Sequence, residues 1–148
     1  MNSTATIFAR LAAVVPSLDT YTPPIGPTRP AIFTERAPDD FLSRDPKPAK
    51  PFLIIAVPTR DEPMETFTET GRLILQDVRG YQRDTGSGAD LDTLMRAVRD
   101  LFHNRPGELT VTGGKCDICR VNGPMQSPTT DPSLIGRRVS IRLDLVNT

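Results

Sequence analysis

The chain has 148 residues, of which 37% are hydrophobic and 24% are charged, and 18 basic side chains balance 18 acidic ones. This length fits one domain, residues 1–148, that can bury a core without disulfides or a metal. A net charge of zero argues against an electrostatic grip on nucleic acid or on a membrane, because binding to phosphates needs a surplus of Lys and Arg. The apolar stretch 7–15 is too short to span a bilayer, which indicates a protein of the cytoplasm or of a particle assembled there.

A first helix is predicted over residues 3–15. Asn2 or Ser3 can cap its free N–H groups. Pro16 ends it, because a proline ring disfavours helical backbone in the residue before it. The apolar face of this helix is formed by Ile7, Phe8, Leu11 and Val15.

A proline-rich segment follows. Nine of the 15 prolines fall within residues 16–51, and since proline fixes φ and lacks an N–H, the segment is predicted to be mostly extended arm or loop. Residues 31–36 can form a short edge strand. The part from Pro38 to Pro51 has two interpretations, a solvated surface loop or an arm that a neighbouring subunit orders.

Two strands are predicted next. The apolar run 52–57 is bounded by prolines, which is typical of a strand covered on both faces. Residues 66–81 are rich in Thr, β-branched and aromatic residues and fit one long strand, bent at Gly71. The polar, glycine-containing stretch 80–88 is predicted to be a mobile loop.

The strongest helix pattern covers residues 89–103. Ser87 and Asp90 resemble a capping box at its start, and Asn104 with Pro106 and Gly107 stops it. Its apolar positions are Leu91, Leu94, Met95, Val98, Leu101 and Phe102.

The C-terminal third is predicted to be strands. Residues 109–112 and 115–125 form two of them, separated by Gly113 and Gly114, and residues 122–136 form a loop. The last strand has its apolar residues at alternate positions, Val139, Ile141, Leu143 and Leu145.

The order of elements predicts an α+β fold, a mainly antiparallel sheet of about five to six strands with two helices on one face. We expect the last strand to pack on Leu94, Val98, Leu101 and Phe102.

Cys116 and Cys119 form a CxxC motif. A redox motif needs its first Cys at a helix N-terminus, whereas this pair falls in a predicted strand, where the two side chains would point to opposite faces. A structural zinc site needs about four ligands, and this motif with one histidine is too few. Both thiols are therefore predicted to be structural and free.

His103 is the single histidine of the chain and falls at a helix end, which favours a capping role over catalysis. The glycine pairs lack the spacing of a phosphate-binding loop. The sequence thus predicts no catalytic, cofactor-binding or metal-binding residue, no cofactor and no enzyme.

The order of these segments resembles the tail terminator (tail completion) proteins of long-tailed bacteriophages and of related gene-transfer particles. The chain departs from shorter members of that family in its long segment 16–51. The resemblance lies in the order and pattern of segments and spans most of the chain, and the segments that carry it are TATIFARLAAVV, PFLIIAVP, METFTETGRLILQDVRGY, SGADLDTLMRAVRDLF and CDICRVNGPMQSPTTDPSLIGRRVSIRLDLV.

The resemblance implies a virion protein of the tail or neck, assembled in the cytoplasm of a bacterial host. It implies a homo-oligomer, a hexameric ring that caps the tail tube protein and meets a head-closure or neck protein, while DNA passes through without specific binding. The segment 38–51 and the loop 79–88 are our candidates for contacts between subunits. Within them the predicted contact residues are Phe41, Leu42, Arg44, Asp45, Arg83 and Asp84.

Three alternatives remain open at this point. The chain can be another neck or minor tail protein, such as a head-closure or connector component. It can be a redox or metal enzyme that depends on the CxxC motif, or a monomeric adaptor. Head-closure proteins tend to be small β-barrels, so a second helix packed on a sheet would favour the terminator.

Overall fold

The computed structural model describes residues 2–45, 49–65 and 70–147. The helices are α1 (Ser3–Arg10), α2 (Asp39–Leu42) and α3 (Ala89–Phe102), with 3-10 turns at Leu11–Ser17 and Pro106–Glu108. The strands are β1 (Thr20–Tyr21), β2 (Arg29–Pro30), β3 (Ile32–Thr34), β4 (Phe52–Ile55), β5 (Arg60–Glu65), β6 (Thr70–Arg83), β7 (Gly114–Gln126) and β8 (Leu134–Asn147).

Over the described residues, six strands form the main sheet in the order β3-β4-β6-β8-β7, with β5 paired to the first half of β6. The edge strand β3 runs parallel to β4, and the other pairs are antiparallel. Strands β1 and β2 form a separate small hairpin. The predicted α+β class and the mainly antiparallel sheet of five to six strands are confirmed.

The main core lies between the sheet and the helices α1 and α3, which pack on the same face. Val98 of α3 and Ile141 of β8 are both fully buried in it, as the two periodic patterns predicted. The buried Gln76 of β6 ties α1 to the sheet, because its side chain accepts a hydrogen bond from Ser3 Oγ (2.7 Å) and donates one to Thr4 Oγ1 (2.8 Å). The two-helix layer on one face is therefore also confirmed.

A second cluster covers the opposite face at the β3–β4 end of the sheet. Because β4 alternates, Leu53 and Ile55 enter the main core while Phe52 enters this second cluster. A strand covered on both faces is what the apolar run 52–57 predicted. The aromatic rings of the cluster belong to Tyr21, Phe33, Phe41, Phe52 and Tyr81.

Several boundaries differ from the predictions. Strand β5 was missed, since Pro63 and charged residues hide its pattern, and residues 66–69 of the predicted long strand lie outside the described residues. The predicted strand 109–112 was wrong: a 3-10 turn at Pro106–Glu108 precedes it and β7 begins at Gly114. The predicted loops 80–88 and 122–136 are shorter, because β6, β7 and β8 extend into them.

The helix starts also differ in part. Asn2 caps α1, its Oδ1 accepting the Ala5 N–H at 3.1 Å, and the last turns of the predicted helix tighten into 3-10 geometry. The capping box predicted for α3 was wrong in its register: Gly88 is the N-cap residue, and Ser87 Oγ accepts the N–H of Ala89 at 3.3 Å and not that of Asp90. Among the described residues, no helix combines the length and apolar character that crossing a membrane requires.

Candidate interaction surfaces

The two cysteines lie on the same face of β7, which corrects the prediction that they point to opposite faces. A β-bulge between Cys116 and Ile118 adds one residue to β7, so that Cys116 and Cys119 both enter the main core. Both thiols are free and buried. Burial raises the pKa of Cys116 to about 11 and that of Cys119 to about 12, the latter also through its neighbour Cys116.

These raised pKa values oppose redox or metal chemistry, because the thiolate is the nucleophile and the metal ligand. His103 is likewise engaged in the fold, since its Nδ1 accepts the backbone N–H of Val121. Within the described residues, no group of three or more His, Cys, Asp and Glu side chains is placed to hold a metal ion.

The first group of predicted contact residues lies on and after α2. Phe41 is fully buried among aromatic rings, so its side chain is a core anchor that supports this surface from beneath. Leu42 is half-buried and lines a pocket of about 320 Å³ together with Ile54 and Tyr81. Arg44 and Asp45 are exposed, and the Arg44 guanidinium lies 5.4 Å from the centre of the Phe41 ring.

The second group lies at the end of β6. Arg83 is half-buried and is the register partner of Leu134, a member of the aromatic cluster, while Asp84 is exposed. The backbone N–H of Asp84 donates to Ser133 O at 2.8 Å, which fixes the turn against the start of β8. Both groups of predicted contact residues therefore border the same end of the sheet.

A third surface, which the sequence pattern did not reveal, is the sheet face opposite α1 and α3. We call the part formed by β5, β6, β8 and β7 the arginine face. One row of side chains crosses this face, and each member is the register partner of the next. In the order β5, β6, β8 and β7, the row consists of Arg60, Leu75, Arg142 and Arg120. A second row pairs Arg79 with Arg138. Like charges directly opposite each other on a sheet repel, and Arg142 with Arg120 and Arg79 with Arg138 are such pairs.

Carboxylates on the arginine face neutralise part of this charge. Glu62 pairs with Arg60 at 2.8 Å, Asp144 with Arg142 at 3.0 Å, and Asp77 with Arg138 at 3.7 Å. The side chain of Arg120 is exposed and forms no hydrogen bond or ion pair with other residues of the described ranges. The Nε atoms of Arg79 and Arg138 are buried without a hydrogen-bond partner in the described part of the chain.

The arginine face also has apolar positions. Leu73 and Leu75 of β6 are half-buried, and Ile118 of β7 is 39% exposed. The alternation of Ser140, Arg142 and Asp144 along β8 was visible in the sequence. The two rows that contain the arginines were not visible in the sequence, because they depend on the register of β8 with β6 and β7.

Strand β5 forms the outer margin of this end of the sheet and differs from the other strands in burial. Five of its six residues are exposed and Met64 is half-buried, so little of the core reaches it. Asp61 and Glu65 lie on the helix side of the sheet, away from the arginine face. Asp61 Oδ1 accepts a hydrogen bond from Arg72 Nε at 2.5 Å, and both side chains of this pair are 43% exposed.

The comparison with solved structures places this fold among known ones. The fold is similar to that of a chain in the virion of a native gene transfer agent (GTA) particle, with a TM-score of 0.66 and 12% sequence identity. The match covers 97% of this chain and 93% of that chain, so the two share a fold over nearly their whole lengths. No protein-family model matches the chain, and no curated protein matches it.

Proposed function

We propose that this protein is a structural virion component, not an enzyme, and that it forms a hexameric ring which terminates a tail tube and joins the tail to the head. The observation that carries the proposal is the fold shared with a chain of a gene transfer agent virion over nearly the whole length of both proteins. The segments that resemble tail terminator proteins cover α1, β4, β6, α3, β7 and β8, the elements that build this fold.

The chemistry of the chain supports a structural role. Its two thiols are held in the protonated form by burial, and the acceptor nitrogen of its histidine is occupied by a backbone N–H. A thiol in that state is a poor nucleophile and a poor metal ligand.

A closed ring needs a head-to-tail contact between two different surfaces of the subunit. The chain has several separate exposed surfaces to serve this purpose, among them the region around Arg44, Asp45 and Asp84, strand β5, and the arginine face. On this proposal the ring contacts the tail tube protein on one side and a head-closure or neck protein on the other, and DNA passes through it without specific binding. Assembly takes place in the cytoplasm of the bacterial host.

Another neck or minor tail component is the second candidate. The long helix α3 packs on an open sheet, with Leu91, Met95 and Val98 fully buried against it. This arrangement favours the terminator over a head-closure protein, a class in which small β-barrels are common.

The test is deletion of the gene in the particle-producing strain, with a plasmid copy as the complementation control. We expect tails of uncontrolled length, or tails not joined to heads, and restoration of normal particles by the plasmid. Joined tails of normal length in the deletion strain would contradict the proposal. Free tubes of normal length beside heads that have lost their DNA would favour the head-closure alternative.

A further inference from the structure

Charge on this neutral chain is distributed unevenly between two surfaces that point in opposite directions. The arginine face carries the guanidinium groups of Arg79, Arg120, Arg138 and Arg142. The opposite side of β5 carries the carboxylates of Asp61 and Glu65, where neither α1 nor α3 covers the strand. A subunit with complementary charges on opposite sides is suited to head-to-tail association.

We propose that the acidic helix side of β5 in one subunit docks on the arginine face of the next subunit in the ring. The inference rests on the proposed function only in requiring a cyclic homo-oligomer. Each contact places Asp61 and Glu65 of one copy opposite the row that contains Arg142 and Arg120 of its neighbour. The occupant of the arginine face is therefore a second copy of this chain.

Asp61 and Glu65 can both bind a neighbouring subunit, although Asp61 already forms an ion pair with Arg72. Asp61 binds Arg72 through Oδ1, and a carboxylate has about four acceptor sites, so the Asp61 carboxylate can accept a further guanidinium. Glu65 is exposed at the end of β5. An exposed ion pair such as Asp61 with Arg72 contributes little stability, so its rearrangement on docking costs little.

The composition of the arginine face favours a protein partner over DNA. The face alternates its arginines with Glu62, Asp77 and Asp144, whose carboxylates would repel phosphates. It also carries apolar positions at Leu73, Leu75 and Ile118. Arginine mixed with apolar side chains is typical of the buried part of protein interfaces.

The passage of DNA gives a second reason. An exposed row of arginines lining the channel would hold the phosphates of a DNA molecule that has to move through it. Seating the arginines against carboxylates of the adjacent subunit removes them from the channel wall. It also gives the exposed Arg120 an ion-pair partner that the subunit itself does not supply among its described residues.

The test uses two variants of the full chain with opposed charge changes. The strand variant Asp61→Asn/Glu65→Lys makes β5 basic, and the face variant Arg120→Glu/Arg142→Gln removes two guanidinium groups from the row and adds a carboxylate. The amide that Arg142→Gln introduces can still donate to Asp144, which keeps that buried carboxylate hydrogen-bonded. Arg96→Glu, an exposed change on α3, is the control for charge reversal elsewhere.

The masses of the wild type, the control, each variant and a mixture of the two variants would be measured by light scattering, with circular dichroism to verify that each protein is folded. We expect rings for the wild type and the control, and a fall to the 16.3 kDa of a single chain for each variant alone. A 1:1 mixture should assemble again, with the two variants alternating around the ring. The basic β5 of the strand variant then docks on the altered, acidic face of the face variant. The unaltered β5 of the face variant docks on the unaltered arginine face of the strand variant. Only rings with an even number of alternating subunits can form in this way.

Three results would overturn the inference. If either variant alone forms the same ring as the wild type, or if the folded variants stay monomeric when mixed, β5 and the arginine face do not contact each other. A wild type that forms rings would leave the proposed function standing in both cases. If Arg120→Glu/Arg142→Gln keeps its ring but loses salt-dependent binding to duplex DNA that the wild type shows, the arginine face binds nucleic acid and the inference is wrong.

Discussion

The Nδ1 atom of His103 lies 3.1 Å from the backbone nitrogen of Val121 and accepts its N–H. Beside it, the N–H of Asn104 donates to Cys119 O at 2.9 Å. Because β7 is the last strand of the sheet, these bonds occupy backbone groups on its outer side. The end of α3 thus covers part of an edge that could otherwise pair with another strand.

Replacing His103 by Phe should destabilise the fold. Phe keeps a ring but removes the acceptor, so the Val121 N–H loses its partner, and we expect a loss of about 1–3 kcal/mol in the free energy of unfolding. Urea titration followed by circular dichroism measures the change. His103→Asn is the matched control, because its side-chain oxygen can accept the same N–H. Equal stability of the Phe variant and the wild type would show that this bond does not stabilise the edge.

Truncating Ile141 should be among the more damaging changes in the chain. Ile141 is fully buried between β8 and the helix layer, and its replacement by Ala leaves a cavity. We expect a loss of about 2–5 kcal/mol for Ile141→Ala and about 0.5–1.5 kcal/mol for Ile141→Val. Arg96→Ala on the exposed side of α3 should stay within about 0.5 kcal/mol of the wild type. Similar midpoints of denaturation for Ile141→Ala and Arg96→Ala would contradict the core described above.

The predicted contact residues separate into two kinds that mutation can distinguish. Phe41→Ala should destabilise the subunit by about 3–5 kcal/mol, since the ring is fully buried. Asp45→Ala and Asp84→Ala change exposed side chains on the proposed contact surface and should leave stability nearly unchanged while weakening assembly. Thermal unfolding and light scattering of the same samples measure the two effects. Unaltered assembly of both Asp variants would remove this surface from the interface.

The cysteines give the fold a stability that depends on pH. Burial raises both thiol pKa values, to about 11 and about 12 from an ordinary 9.0, so the folded state favours the protonated thiols. That stability is complete below the unfolded pKa and is lost as the pH rises through 9 toward the folded values. The wild type should therefore lose stability more steeply above pH 9 than Cys116→Ala/Cys119→Ala, measured by urea titration at several pH values. Parallel pH profiles would contradict this.

The same cysteines should be dispensable for assembly. Cys116→Ser/Cys119→Ser is expected to fold with modest destabilisation and to form the same oligomer as the wild type, because neither thiol reaches the surface to any extent. Light scattering measures the oligomer, and elemental analysis measures bound metal. Stoichiometric zinc in the wild type, or unfolding on treatment with a chelator, would contradict a structural role for these thiols.

The regular helices and strands were predictable because buried residues recur along each of them with the period of a helix or of a strand. Val98 and Ile141 occupy the positions that helical and strand periodicity assign to a core face. Strand β5 was not predictable, since it is paired along its length yet packs few residues on the core, so its sequence has no apolar alternation. The side-chain directions of Cys116 and Cys119 depended on a bulge that strand periodicity does not contain.

The interaction surfaces were harder to predict than the core. Phe41 lies in a polar, proline-rich segment, and its burial arises from packing on Phe33 and Phe52, which belong to separate strands. Arg120 and Arg142 lie on different strands, and only the register of β7 with β8 places them side by side. Pairings between distant segments of the chain, and not local patterns, create these surfaces.

The most direct test of the account is a cryo-electron microscopy reconstruction of the head–tail junction in the particles that contain this protein. We expect one ring of six copies, with α3 packed on the open sheet, at the head-proximal end of the tail tube. We further expect that β5 of each copy lies against the arginine face of the next. Absence of this fold from the junction, or its repetition along the length of the tube, would contradict the account.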